Sequence, residues 1–139
     1  MNVRHTAPCL IGRYHVLQST NYVERRYNMI AAKLKQVGYS THQFGKWHMG
    51  AVAPWMTPHG RGFDTSLGYL SGGEDHYTQI QRGNIFGGVG VDLYETDAPA
   101  YTHNGTYACY TYNDAILKTI ALAHNQPVPL FLYIALQVR

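Results

Sequence analysis

One continuous apolar run, PLFLYIAL at residues 129–136, constrains this chain more than any other feature. A strand without polar alternation reads as buried on both faces, the habit of parallel sheets covered by helices. Two segments with helical period supply the cover. In residues 24–37, Tyr27, Ile30, Ala31, Leu34 and Val37 recur at helical spacing while Arg26, Lys33 and Lys35 face outward. Gly38 is the expected helix stop, and residues 39–45 read as a short strand. A second helix is expected over residues 111–124, opened by a Thr111/Asp114 capping box. Its expected buried stripe is Ala115, Ile116, Thr119, Ile120 and Ala123. Between these units, residues 51–90 are rich in Gly and Pro and read as loops, followed by one strand or hairpin over residues 89–94. The outline is helix–strand, long loops, helix–strand: an α/β domain.

The totals fit one modest globular domain. The 139 residues are 45% hydrophobic and 14% charged, which excludes a disordered chain. Net charge is +3, with basic residues concentrated before residue 47 and acidic ones between residues 64 and 97. The basic residues are dispersed and no nucleic-acid motif accompanies them, so no nucleic-acid partner is expected. No stretch reaches the roughly 18 apolar residues of a membrane span. The eight histidines never fall two, three or four apart, which argues against a local zinc cluster. GGVG at residues 87–90 lacks the spacing of a nucleotide loop.

The chemistry-bearing stretch is GYSTHQFGKWHMG, residues 38–50. On an extended segment, residues two apart share a face. Trp47 can therefore be buried while Lys46 and His48 are presented together at the carboxyl end of a strand, where α/β folds place ligand groups. An ammonium beside an imidazole suits an oxyanion such as sulfate or phosphate: the lysine brings charge, the histidine a proton. The spacing alone leaves open a plainer alternative, a surface lysine and a hydrogen-bonded histidine around a core tryptophan. Glu74-Asp75-His76 reads as a polar turn, with a metal or acid–base group as the alternative. Cys9 and Arg13 share the Cys-x-x-x-Arg spacing of a modified-cysteine nucleophile without the proline and serine of that motif, so Cys9 is expected to be a small buried hydrophobe. Asn104-Gly105-Thr106 is an N-glycosylation sequon, usable only if the chain is secreted.

Four ordered blocks resemble the sulfatase family. GYSTHQFGKWHMG is similar to its second signature. TPHGRGFDTSLGYLSGGEDHYT (57–78) resembles the Arg-Gly-Phe-Asp, Gly-Tyr-Leu and Glu-Asp-Tyr-Tyr series that follows in arylsulfatases. YACYTYNDAILKTI and PVPLFLYIALQ resemble the next helix and strand, most like the arylsulfatase B branch, and LIGRYH (10–15) resembles the tail of the first signature. The resemblance implies an alkaline-phosphatase-like α/β domain, with residues 1–139 a partial N-terminal sulfatase domain incomplete at both ends. It implies a sulfuric ester hydrolase acting on a sulfate-ester small molecule or sulfated glycan. The nucleophile would be a formylglycine made from the cysteine of Cys-x-Pro-Ser-Arg, with a calcium ion binding the sulfate. Lys46 would contact the sulfate and His48 would hydrogen-bond the hydrated aldehyde. A secretory or lysosomal location is implied if a leader precedes Met1, with Asn104 then glycosylated.

Cys-x-Pro-Ser-Arg does not occur in the chain, and the calcium-binding carboxylate motifs of the family are absent. Two further hypotheses therefore stand beside the sulfatase. One is a catalytically inactive remnant that keeps at most an anion-binding pocket. The other is a phosphodiesterase or phosphonate hydrolase of the same superfamily. If the strand at 129–136 and the second helix lack partners, their apolar surface should remain exposed and the chain should be poorly soluble.

Overall fold

The computed structural model describes residues 22–83 and 88–137. Cys9, Arg13 and the LIGRYH block lie outside these residues. The first helix, α1, spans Ile30–Gln36. It ends at Gly38, whose φ of 88° allows the reversal that a side chain would resist. There Gly38 N donates to Lys35 O and Tyr39 N to Leu34 O, the paired bonds of a Schellman stop. The expected start at residue 24 is corrected. Residues 24–27 form a turn, because the guanidinium of Arg61 donates to the carbonyls of Glu24 (3.3 Å) and Tyr27 (2.8 Å). The expected stripe also shrinks: Ala31 is fully buried, while Ile30 and Val37 are exposed.

The chain then enters β1, Ser40–Gly45. Two strands lie parallel beside it: β2, Thr65–Tyr69, and the apolar run itself, Leu130–Ala135. Four antiparallel strands, two of them in a separate hairpin, complete the architecture. The hairpin is β3 (Ile80–Gly83) with β4 (Gly88–Val91), and β5 (Leu93–Glu95) pairs with β2. A short β6, Ala98–Pro99, pairs with β5. The second helix, α2, spans Ala108–Ala123, and the apolar run is β7. The main sheet has the order β6-β5-β2-β1-β7.

Several expectations are corrected here. The region read as loops contains β2, a central strand. Residues 89–94 are not one strand but two, split at the buried Asp92. Helix α2 begins three residues before Thr111, because Ala108 and Tyr112 pack into the core with Phe44, Tyr69 and Leu93. Thr111 thus lies inside the helix with its Oγ1 buried and unpartnered, and the capping box does not form. The stripe along α2 is buried at its amino end, while Ile120 is 44% exposed. Strand β7 is not buried on both faces. It is one of the two edge strands among the described residues, and Tyr133 and Ile134, with Leu136 just beyond it, reach solvent.

Two apolar clusters sandwich the sheet. Phe44, Leu67, Tyr69 and Leu93 pack beneath α2. Ala31, Trp47, Phe63 and Leu70 pack on the α1 side, with the Phe63 ring edge-on to Trp47 at 6.1 Å. The Arg-Gly-Phe-Asp segment serves this second cluster. Arg61 is buried on carbonyls, Gly62 lies against the backbone of Ala32, Phe63 fills the core, and Asp64 accepts from Thr41 N at 2.9 Å and pairs with Lys35 at 2.7 Å.

Candidate functional site

The carboxyl ends of the parallel strands β1, β2 and β7 meet at one edge of the sheet. Strand β1 stops at Gly45, whose φ of 89° turns the chain across β2. A side chain at Gly45 would run into the carbonyl of Ala135, and one at Gly68 into the carbonyl of Gly45. The turn is fixed by Lys46 N donating to Ala135 O (2.8 Å), Trp47 N to Tyr69 O (3.0 Å) and His48 N to Leu70 O (3.2 Å). The segment is therefore not the extended one expected, and His48 itself has a left-handed φ of 53°.

Trp47 is buried, and its indole N–H donates to the carbonyls of Gly50 and Met56, both at 2.9 Å. Lys46 and His48 point elsewhere and meet at one residue. The Lys46 ammonium donates to Gly72 O at 2.7 Å, and the His48 ring lies over the Gly72 Cα, where an added Cβ would approach it to 3.0 Å. Gly72 takes one of the three ammonium hydrogens, leaving two for a ligand. The Lys46 ammonium can thus offer charge to one small anion, with the His48 ring beside it.

Gly72 belongs to a turn, residues 71–74, that follows β2. Ser71 N and Oγ both donate to Asp92, which is 1% exposed. At the other end, Glu74 Oε1 accepts from Tyr112 OH at 2.5 Å. Gln137, just beyond β7, accepts from Glu74 N at 3.2 Å and donates to Glu74 O at 2.9 Å. Burial pushes the Glu74 carboxyl up to about 7, against the Tyr112 hydrogen bond and with help from Asp92 and Asp75. Burial likewise raises Asp92, opposed by the Ser71 bonds, and holds the Tyr69 phenol up to about 12.

Glu74-Asp75-His76 separates into different roles. Asp75 is exposed and organises a polar turn, accepting from Tyr77 N and from the backbone and hydroxyl of Thr78. His76 stacks near Tyr107 and contacts Gln137 Nε2 at 3.2 Å. Among the described residues no group of three or more His, Cys, Asp or Glu side chains could hold a metal. Each buried carboxyl has one oxygen held by a donor, Glu74 by Tyr112 and Asp92 by Ser71, and the other oxygen without a hydrogen-bond partner. With no third His, Cys, Asp or Glu grouped with them, the described residues do not fit a calcium site. Asn104 is exposed after a short helical turn, 101–103. A groove of about 670 Å³ between β2 and α2, lined by residues such as Thr65, Thr111 and Lys118, contains neither Lys46 nor His48. No helix among the described residues is long and apolar enough to cross a membrane.

Sequence reasoning missed Glu74 as a buried acid, and missed Asp92, Tyr112 and Gln137 entirely as parts of this edge. The two glycines before Glu74 signal a tight turn. No local signal ties that turn to a tyrosine 38 residues away.

Comparison with known proteins places this architecture. The Sulfatase family model matches residues 7–137. Arylsulfatase J of Mus musculus is 44% identical over 106 residues, which is 76% of this chain and 17% of that protein. An arylsulfatase of Klebsiella aerogenes is 40% identical over 52 residues, 37% of this chain and 11% of that protein. The chain therefore spans under a fifth of the length of these relatives. Among solved structures, Ps i-CgsB in complex with k-i-k-neocarrahexaose superposes with a TM-score of 0.73 at 26% identity, covering 88% of this chain and 29% of that one. The PsFucS1 sulfatase from Pseudoalteromonas sp. superposes at 0.53 and 22% identity, covering 78% and 26%, and shares the fold.

Proposed function

The chain belongs to the sulfatase family, and from that premise we propose that it carries the sulfate-holding part of a sulfuric ester hydrolase. The observation that carries this reading is the convergence of Lys46 and His48 on Gly72 at the carboxyl edge of the parallel strands. In this reading the Lys46 ammonium stabilises the charge on a bound sulfate ester, and His48 holds or transfers a proton beside it. The full reaction would depend on formylglycine and calcium. The chain lacks the Cys-x-Pro-Ser-Arg motif and its described residues do not fit a calcium site, so no step is assigned through either group. The substrate class would be an aryl sulfate or a sulfated glycan, the latter favoured by the hexaose bound to Ps i-CgsB. In a secretory compartment the exposed Asn104 would be a glycan acceptor.

A second reading of the same geometry is a sulfatase-like domain that binds the anion at Lys46 without turning it over. Titration of the chain with inorganic sulfate, followed by an assay on a chromogenic aryl sulfate, separates the two. Sulfate binding that weakens about tenfold or more in Lys46→Ala supports the anion site, as expected for loss of a charge-assisted bond. Binding with turnover selects the hydrolase, and binding without it selects the second reading. Sulfate binding indifferent to Lys46→Ala would exclude both.

A further inference from the structure

We propose that the buried carboxyls of Asp92 and Glu74 stake the 71–74 turn from both ends, and so act as positioning residues for the Lys46 ammonium and the His48 ring. The proposal rests on the reading of that pair as an oxyanion site. Gly72 and Gly73 have no side chains with which to hold a position. What holds them lies on either side. Asp92, at the junction of β4 and β5, takes both the backbone N–H and the hydroxyl of Ser71, and that hydroxyl also reaches Gly73 O at 3.2 Å. Asp92 is itself anchored, with its N–H donating to Gln79 O at 2.9 Å.

Glu74 is fixed by two other elements. Tyr112, 1% exposed in the core face of α2, donates its hydroxyl to the carboxyl, and Gln137 grips the Glu74 backbone through both amide atoms. Three separate parts of the fold thus converge on a four-residue turn whose central carbonyl receives the Lys46 ammonium. An apolar pair could fill the same volume without the cost of desolvating two carboxyls. The hydrogen bonds they accept do something an apolar pair cannot: they fix the direction of the Gly72 carbonyl, and with it the two remaining ammonium hydrogens.

The test uses the 139-residue chain, inorganic sulfate as the probe, and NMR signals from the Gly72 amide and the His48 ring. The Trp47 indole signal reports the core. Tyr112→Phe removes one hydroxyl and keeps the buried ring, so it is the variant that preserves folding. It is expected to weaken sulfate binding about fivefold, the effect of one lost hydrogen bond, and to shift the Gly72 and His48 signals while the indole signal stays. Glu74→Ala should act in the same direction. Glu74→Gln, which keeps an acceptor for Tyr112, should restore binding to within about twofold of the parent. A merely structural role would not show this rescue. If the parent binds no sulfate, the oxyanion reading fails while the staking is still decided: Gly72 and His48 signals that shift in Tyr112→Phe support it. Unmoved signals in both Tyr112→Phe and Glu74→Ala overturn it.

Discussion

Strands β1 and β7 run side by side in parallel register over six residues, and their hydropathy and burial are inverted. β1 reads Ser-Thr-His-Gln-Phe-Gly and is mostly buried, with Thr41 and Gln43 at 0% exposure. β7 reads Leu-Phe-Leu-Tyr-Ile-Ala, yet Ile134 is 45% exposed. Position in the sheet decides burial here, not polarity. β1 has a neighbour on each side, while β7 is an edge strand among the described residues. The polar side chains of β1 are accommodated by specific acceptors: Thr41 Oγ1 donates to Gly62 O at 2.9 Å, and Gln43 Nε2 to Gly45 O at 2.8 Å. Exposed apolar residues also occur on α2 at Leu117, Ile120 and Leu122, surface suited to further packing.

The largest effect expected from this inversion lies where the central strands touch backbone to backbone. Gly68→Ala would drive a methyl into the Gly45 carbonyl, and neither strand can retreat without disturbing its register. We expect a loss of about 4 kcal/mol, at the high end for single substitutions. Urea unfolding of the chain measures it. A variant as stable as the parent would mean that the β1–β2 centre is far more yielding than its burial implies.

The next effect tests the buried carboxyls that the central strands lead to. Glu74 is raised from 4.5 to about 7 in the folded state, first by burial. Between those values the folded chain keeps a proton that the unfolded chain releases, so stability falls as pH rises. The contribution is fully present below about pH 4.5, is lost through the window, and is gone above about pH 7. Its size is roughly 3 kcal/mol. Burial shifts Asp92 in the same direction. Glu74→Gln should therefore flatten stability against pH across this window. An unchanged slope would show that Glu74 does not hold its proton in the folded chain.

These contrasts also explain how far the sequence could be read. The Gly38 stop, β1 and the burial of Trp47 were legible, because each depends on local spacing or on one bulky residue. The resemblance to sulfatases supplied the order of the blocks and the fold. β2 was not legible: Thr65–Tyr69 sits among glycines, and only its pairing with β1 and β5 makes it a strand. The convergence of Lys46 and His48 arises from left-handed backbone at Gly45 and His48, which two-residue alternation does not encode. Thr111 and Asp114 offered a good cap, but the core contacts of Ala108 and Tyr112 set an earlier start. Glu74, Tyr112 and Gln137 meet only after the whole sheet is assembled.

The smallest effect is a matched pair that sets the two strands directly against each other. Thr41→Val in β1 keeps the shape of a fully buried side chain and removes its hydroxyl. The Gly62 carbonyl and the Asp64 carboxylate then lose a donor, at a cost of about 1.5 kcal/mol. Ile134→Thr in β7 makes the opposite change, adding a hydroxyl to a half-exposed apolar residue. Water can reach that hydroxyl and the β propensity is kept, so the cost should be under about 0.5 kcal/mol. Urea midpoints of the two variants on one day, in one buffer, decide the matter. If making the polar strand apolar costs more than making the apolar strand polar, position governs both strands. If Ile134→Thr proves the more damaging, the apolar run of β7 is buried in solution by something that packs against it.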